Sequence, residues 1–257
     1  SIDQRRLQLR QALHTTLPDQ PLQLDWQAEV DSTNLALLRA PASAVPQVLV
    51  ADRQHTGRGQ SGRRWHSPPG NLYASVRCRL PAPLSGALAL EIGLAVLQAL
   101  RLPTGFGLKW PNDLYLKHPE GWAKWGGLLI EPLSATDVVI GLGLNVNGPL
   151  QVLEDRLSAG LNTVLPVPRT VIDLACLAIP ALLQAAQCWQ PGRPGLPADY
   201  APHDLLRGHW VRLESPQRPG VEAGQVMGIQ ADGALLLLQD GLPRAHYGGH
   251  VVWSPVP

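Results

Sequence analysis

The chain has 257 residues, 45% of them hydrophobic, and carries 21 Lys+Arg against 20 Asp+Glu, for a formal charge of +1. That balance argues against a generally basic nucleic-acid or membrane-surface protein, and no apolar run of ~18 residues or charged-then-apolar start suggests a spanning helix or a secretory leader. Cys78, Cys176 and Cys188 show no Cys-x-x-Cys spacing, which points to a reduced, cytoplasmic setting without a zinc cluster.

In chain order, Leu7, Leu9 and Leu13 predict a short helix, and Leu22, Leu24 and Trp26 a strand. Asp31 and Ser32 stand before Thr33, Asn34 and a run of good helix formers, the pattern of an N-capped helix start. Val48 to Ala51 reads as a buried strand, and Asn71 to Val76 as another. Leu90, Leu94, Leu97 and Leu100 share one helical face. Gly126 to Ile130 and Val138 to Leu144 have the length of strands. Thr170 caps a helix running toward Trp189, with a kink expected at Pro180. Helices and strands mix without a regular βαβ repeat, so an α+β sheet layered with helices is expected. The Pro/Gly-rich stretch from Gln190 to Asp199 breaks the composition. Beyond it come short runs at His209 to Leu213, Gly224 to Ile229, Ala234 to Leu238 and His250 to Trp253, with the tight-turn pairs Asp232-Gly233 and Asp240-Gly241. Residues 205–257 therefore read as a small β-barrel of the SH3-like kind, packed on a domain of residues 1–200.

Gly57, Gly59 and Gly62 match the spacing of the dinucleotide fingerprint. That fingerprint requires a helix leaving the loop and an acid about twenty residues on. Here Pro68-Pro69 bars a regular helix, and no acid occurs between Arg53 and Leu90. A dinucleotide-binding reading is rejected. The same stretch holds Arg53, Arg58, Arg63, Arg64, Arg77 and Arg79, a cationic loop suited to phosphate or carboxylate, or else a solvated flexible loop. Only three lysines exist, Lys109, Lys117 and Lys124, so a lysine inside a motif carries weight.

Asp31-Ser32-Thr33-Asn34, the loop from Gln54 to Pro68, Lys109-Trp110-Pro111-Asn112-Asp113-Leu114, the run from Lys124 to Glu131, and the run from Val138 to Asn147 follow one another in register. In this order they resemble the biotin–protein ligases, short form, over nearly the whole chain. The resemblance implies an α+β fold: a central mixed or antiparallel sheet with packed helices, like the class II aminoacyl-tRNA synthetase catalytic domain, then the small barrel. It implies a cytoplasmic ligase that joins biotin and ATP, with Mg²⁺, into biotinyl-5′-AMP, then passes biotin to one lysine of a biotin carboxyl carrier protein. A lipoate- or octanoate-attaching ligase is the alternative within enzymes.

By the same resemblance Arg58 and Lys124 are the catalytic cations, where two anions must meet. Ser32, Thr33, Asn34, Gln54, Gly57, Arg58, Gly59, Gln60, Lys124, Gly127, Gly141 and Gly143 line the biotin site. Ser32 reads equally as a plain N-cap, and the glycines as strand bulges. Arg58, Arg63, Arg64, Trp65, Lys109, Asn112 and Asn145 face ATP, while core packing competes for Trp65 and turn chemistry for Asn112 and Asp113. Asp113 is the candidate Mg²⁺ contact, with most of the ion's ligands coming from the triphosphate. Lys124→Ala is expected to cut adenylate formation far more than stability. Two departures stand out: Gln60 where many relatives carry an arginine, and His250 in place of an acid. Some relatives repress transcription through an added helix-turn-helix module. About 25 residues before Trp26 are too few for one, so no specific DNA binding is expected, no membrane partner either, and a two-fold homodimer is the statistical default.

Overall fold

The computed structural model describes residues 1–215 and 218–253, so 216–217 and 254–257 of the expected second unit lie outside the described residues. The elements run α1 Ile2–Thr16, β1 Gln23–Val30, α2 Thr33–Arg39, β2 Gln47–Gln54, β3 Leu72–Arg79, α3 Ala87–Leu100, β4 Phe106–Lys109, β5 Asp113–His118, β6 Gly121–Pro132, β7 Asp137–Leu144, β8 Gln151–Leu153, β9 Arg156–Ser158, α4 Val171–Gln187, α5 Leu196–Tyr200, β10 Trp210–Glu214, β11 Val221–Ile229, β12 Leu235–Gln239, β13 Leu242–His246 and β14 His250–Val252. A nine-stranded mixed sheet has the order β1-β2-β3-β7-β6-β5-β4, with the β8–β9 hairpin leaning on β6, and a five-stranded antiparallel sheet has the order β13-β12-β11-β10-β14. The α+β expectation holds in this form.

Strand periodicity divides the first sheet into two unlike faces. Val48 and Val50 of β2, Ala74, Val76 and Cys78 of β3, and Val138, Ile140, Leu142 and Leu144 of β7 all enter the main core. That face is covered by α1, α3 and α4: Leu9 and Leu13, the apolar stripe of Leu88 to Leu100, and Leu174 to Ala186. Each such leucine or isoleucine, fully buried, contributes about 1.5–3 kcal/mol. The alternating residues face the other way. There Leu49 and Val139 form a small second cluster with Leu37 of α2, and glycine and polar side chains take most of the remaining positions, beside Leu129 and Tyr73. Among the described residues no helix is long and apolar enough to cross a membrane.

Several elements exceed their sequence signals. The first helix is a full 15 residues, closed by a Ser1–Gln4 capping box and tied to β2 by a two-pronged Arg5–Asp52 pair. Helix α4 continues unbroken through Pro180. Residues 110–112 form only the tip of a hairpin, with β4 and β5 pairing antiparallel on either side. Strands β8, β9 and β13 carried no recognised signal. Asp240 and Gly241 both take positive φ, 52° and 77°, at the β12–β13 turn, as a two-residue hairpin loop requires.

The two sheets meet at a buried junction. Trp110 Nε1 donates to the carbonyl of Gly233 at 2.9 Å, and Leu205 N donates to the carbonyl of Leu108 at 3.0 Å. Asp204, paired by a bridge with Leu108, accepts from Leu206 N at 3.0 Å through Oδ1, while its Oδ2 is buried with no partner among the described residues. Burial pushes the Asp204 carboxyl up to about 6, against the pull of the Leu206 and Arg207 N–H groups. A carboxyl raised in the folded state costs nothing below its unfolded pKa and destabilises progressively as pH climbs to the folded value. Asp204→Asn should therefore leave stability unchanged near pH 3.5 and raise it by about 3 kcal/mol above pH 7. Denaturant melts at both pH values check this; equal shifts at the two would contradict it.

Candidate active site

The polar face of the first sheet is the floor of a cavity of about 1130 Å³, walled by α2, the loop after β2, the 110–113 hairpin tip and residues of the second sheet. Strand register arranges the floor in rows. Asp113, Gly127, Gly143 and Tyr73 align across four strands; Leu129, Gly141, Ser75 and Leu49 form the next row; Glu131, Val139, Arg77 and Gln47 the one after.

Lys124 and Gly127 are three residues apart, which in a regular strand would place them on opposite faces. A β-bulge resolves this: Tyr115 pairs with Lys124 and Leu114 with Gly126, leaving Trp125 as the extra residue. Trp125 is wholly buried in the core, and a side chain at Gly126 would press on Leu144 and Leu114. Lys124 and Gly127 thereby share the floor. Lys124 Nζ lies 2.8 Å from Asp113 Oδ1, their side chains 11% and 13% exposed, and 5.0 Å from the Trp65 ring centroid. Burial lowers the Lys124 pKa, helped by Arg156 and Arg63 and opposed by Asp113. Burial alone would raise Asp113, but Lys124 and Lys109 outweigh it and keep it ionised. Burial also pulls Lys109 down to about 8, with Asp113 opposing and Lys124, Arg156 and Arg63 adding repulsion.

The glycines of the floor make room for side chains. A Cβ at Gly143 would sit 2.8 Å from Trp65 Nε1, and one at Gly141 would collide with Asn34 Oδ1. Trp65 thus lies across Gly127 and Gly143 at the cavity wall, its Nε1 buried and unpaired among the described residues, so both packing and site contact apply to it. Asn34 is likewise engaged: Nδ2 donates to the Leu129 carbonyl at 3.2 Å and to Glu131 Oε2 at 2.9 Å, and Oδ1 accepts from Ser75 Oγ at 2.5 Å. With both amide protons occupied, Asn34 offers little beyond one acceptor lone pair.

A polar chain continues from there. Ser75 Oγ is also 2.6 Å from Thr33 Oγ1; Gln54 Oε1 accepts from Thr33 N at 2.9 Å and Oγ1 at 3.2 Å; Gln54 Nε2 donates to Ser67 Oγ at 3.0 Å; and Ser67 Oγ donates to the Trp65 carbonyl at 2.9 Å. Ser32 caps α2 by accepting from Leu35 N and still lines the cavity. The network pins the base of the glycine loop to the helix start.

The loop itself curls back as a small hairpin with one 3₁₀ turn at Gln60–Gly62. Gly59 N donates to the Arg63 carbonyl at 2.7 Å and Trp65 N to the Gly57 carbonyl at 2.8 Å, so these two amides serve the loop rather than facing outward. The arginines of the acid-free segment are also less free than they read, because distant strands supply acids: Glu131 to Arg58 of the loop at 2.9 Å and Asp137 to Arg77 of β3 at 3.0 Å. Arg58, Gly59, Gln60, Arg63 and Arg64 line the cavity with Lys109, Asn112 and Asp113. Gly57 and Asn145 are not among the lining residues; Gly57 lies under Ser67 and Trp65, and Asn145 Nδ2 donates to Ser158 Oγ at 3.3 Å. Asn112 donates its amide to the Leu128 carbonyl, fixing the hairpin tip on β6.

Asp113, the candidate magnesium contact, lines the cavity at the start of β5. Its carboxylate already faces a lysine ammonium, and no group of three or more His, Cys, Asp or Glu able to hold a metal exists among the described residues. Sequence reasoning missed Ser75, Glu131 and Arg156. Glu131 closes a quoted motif but gave no sign of its partners, and Arg156 sits beside acids in a short turn. Arg156 lines the cavity next to Lys109 and Lys124. His250, whose pKa is lowered by burial and by Arg63 and Lys109, joins the cavity from the second sheet.

A cleft that gathers buried cations over a glycine floor is an anion-handling site on an α+β frame. The model of the Biotin/lipoate A/B protein ligase family matches residues 26–145. The biotin–[acetyl-CoA-carboxylase] ligase of Mycobacterium tuberculosis is 33% identical over 244 residues, 90% of this chain and 88% of that one. The Escherichia coli bifunctional ligase/repressor BirA is 34% identical over 86% of this chain and 71% of its own length. The structure of the Aquifex aeolicus biotin protein ligase in complex with biotin and ATP matches 90% of this chain and 97% of that one, with 28% identity and a TM-score of 0.74. The chain belongs to this family, among its biotin protein ligases.

Gly143→Ala should force Trp65 off the floor and cost about 1–3 kcal/mol, read by chemical denaturation. Unchanged stability would show that the ring has room to yield.

Proposed function

We propose that the protein activates biotin with ATP as biotinyl-5′-AMP and transfers it to a lysine of a biotin carboxyl carrier protein, as a biotin–[biotin carboxyl-carrier protein] ligase. The observation that carries the reading is the convergence of Lys124, Arg58 and Trp65 over one glycine floor, contributed by segments far apart in the chain.

In the first step a biotin carboxylate oxygen bonds to the α-phosphorus of ATP and the bond to the β,γ-pyrophosphate breaks. Two anions approach, and Lys124 and Arg58 are the groups suited to hold the carboxylate and the α-phosphate while charge builds. Arg63, Lys109 and Arg156 form a second cationic group suited to the phosphates that leave. Magnesium arrives with the nucleotide as part of the substrate, consistent with Asp113 being engaged by Lys124. In the second step the neutral carrier amine attacks the acyl carbon of the mixed anhydride, AMP departs, and the amine loses its proton. No enzyme nucleophile is required, and positioning supplies the rate.

The ureido ring of biotin is best served by Ser32, Thr33 and Gln54, which retain hydrogen-bonding capacity, with Asn34 holding the frame behind them. We read the catalytic part as class II synthetase-like, residues 1–200, and residues 205–257 as an SH3-like barrel whose His246 to Val251 segment closes the ATP side. The three cysteines are free, which supports a cytoplasmic setting.

The test is ATP–pyrophosphate exchange with biotin, lipoate or octanoate offered separately. Exchange with biotin is expected, and stimulation by lipoate alone would overturn the assignment. Lys124→Ala should lower exchange by about 10²–10³-fold. It strands the buried Asp113 carboxylate, so, unlike the expectation from sequence, it should also lose about 3–5 kcal/mol of stability. Adding Asp113→Asn should restore stability but not exchange. Exchange restored with stability would show that the lysine is structural.

A further inference from the structure

Arg58 projects from a loop and Glu131 from a rigid strand, and their pairing joins the two. Glu131 Oε1 lies 2.9 Å from Arg58 Nη2, while Oε2 accepts from Asn34 Nδ2 at 2.9 Å. Asn34 is itself fixed by the Leu129 carbonyl and Ser75, so the carboxylate is held from behind. Arg58 lines the cavity and Glu131 does not; their side chains are 42% and 19% exposed. The carboxylate therefore backs the guanidinium.

A guanidinium carries five N–H donors in a planar fork. Holding one terminal nitrogen sets the plane of the fork and leaves the other donors for a ligand. Without that hold, a long side chain on a glycine-rich loop would sample many rotamers and lose that freedom only on binding. The same carboxylate grips Asn34 at the start of α2, so the frame of the biotin pocket and the loop cation share one support.

We propose that Glu131 is a positioning residue for biotin activation, acting through Arg58 and coupling its orientation to the Asn34 frame. This rests on the reading of Arg58 as a cation of the activation step. The opposite role, a carboxylate that withholds Arg58 from substrate, predicts the opposite sign on removal.

Biotin-dependent ATP–pyrophosphate exchange tests it in the full chain, comparing Glu131→Ala, Glu131→Gln, Arg58→Ala and the Arg58→Ala/Glu131→Ala double variant. Glu131→Ala should lower kcat/KM for biotin by between about 10- and 100-fold. Glu131→Gln, which keeps an acceptor for Arg58 but turns an amide NH₂ toward Asn34 Nδ2, should recover part of that loss. In the Arg58→Ala background, Glu131→Ala should add nothing, because its effect passes through the missing guanidinium. Additive losses would make Glu131 merely structural and overturn the proposal, as would a gain in kcat/KM on removing the carboxylate or full exchange by Arg58→Ala. The two failures separate: no biotin-dependent exchange in the unaltered protein sinks the biotin reading and this proposal with it, whereas exchange with additive losses sinks the role of Glu131 alone.

Discussion

A lysine ammonium and a carboxylate meet at 2.8 Å on a floor where neither side chain is much exposed. Either charge alone would be strongly unfavourable there, and each opposes the cost of burying the other. Their meeting depends on one extra residue, Trp125, which turns inward and shifts Lys124 into step with Gly127 and Asp113. Without the bulge the lysine would point into the leucine and valine core beneath the sheet. The position of Trp65 follows as well, since its ring lies on Gly127 and Gly143 and under the Lys124 ammonium. A buried ion pair is weak support for stability, but here it places a cation on the cavity floor.

The rest of the sheet separates stability from chemistry by face. Val48, Val76, Ile140 and Leu142 secure the helices α1, α3 and α4, so the opposite face can carry glycine, Ser75 and Arg77 at little cost to the core. Helix α2 covers only part of that face. Its first residues, capped by Ser32, feed a hydrogen-bonded chain from Glu131 through Asn34, Ser75, Thr33 and Gln54 to Ser67. The second sheet closes the cavity from the far side, anchored by Trp110 on Gly233 and bringing His250 toward Lys109 and Arg63.

The elements legible in the sequence were those with a sustained period or a cap. Leu90 to Leu100 and Ser32 before Thr33 are examples, because local physics alone decides them. Strands β4 and β5 were hidden because Gly107 and the Lys109-to-Asp113 motif read as a turn, and only pairing across the sheet makes them strands. The candidate site was legible as a set of residues through the resemblance of separated motifs, and the structure gathers most of them at one cavity. Their division of labour was not legible. That Asn34 is engaged on every side, that Arg58 is backed by Glu131 and that Asp113 answers Lys124 are facts of tertiary contact, set by register and a bulge that no local pattern displays.

In the proposed activation step the bulge delivers Lys124 to the acyl-phosphate end of the adenylate. A crystal structure of the protein with biotinyl-5′-AMP tests it most directly. The Lys124 ammonium is expected within hydrogen-bonding distance of the adenylate's carboxyl or phosphate oxygens, about 2.7–3.2 Å, with the adenine near Trp65. An adenylate bound elsewhere, or one whose oxygens are met only by other residues while Lys124 stays on Asp113 alone, would contradict it.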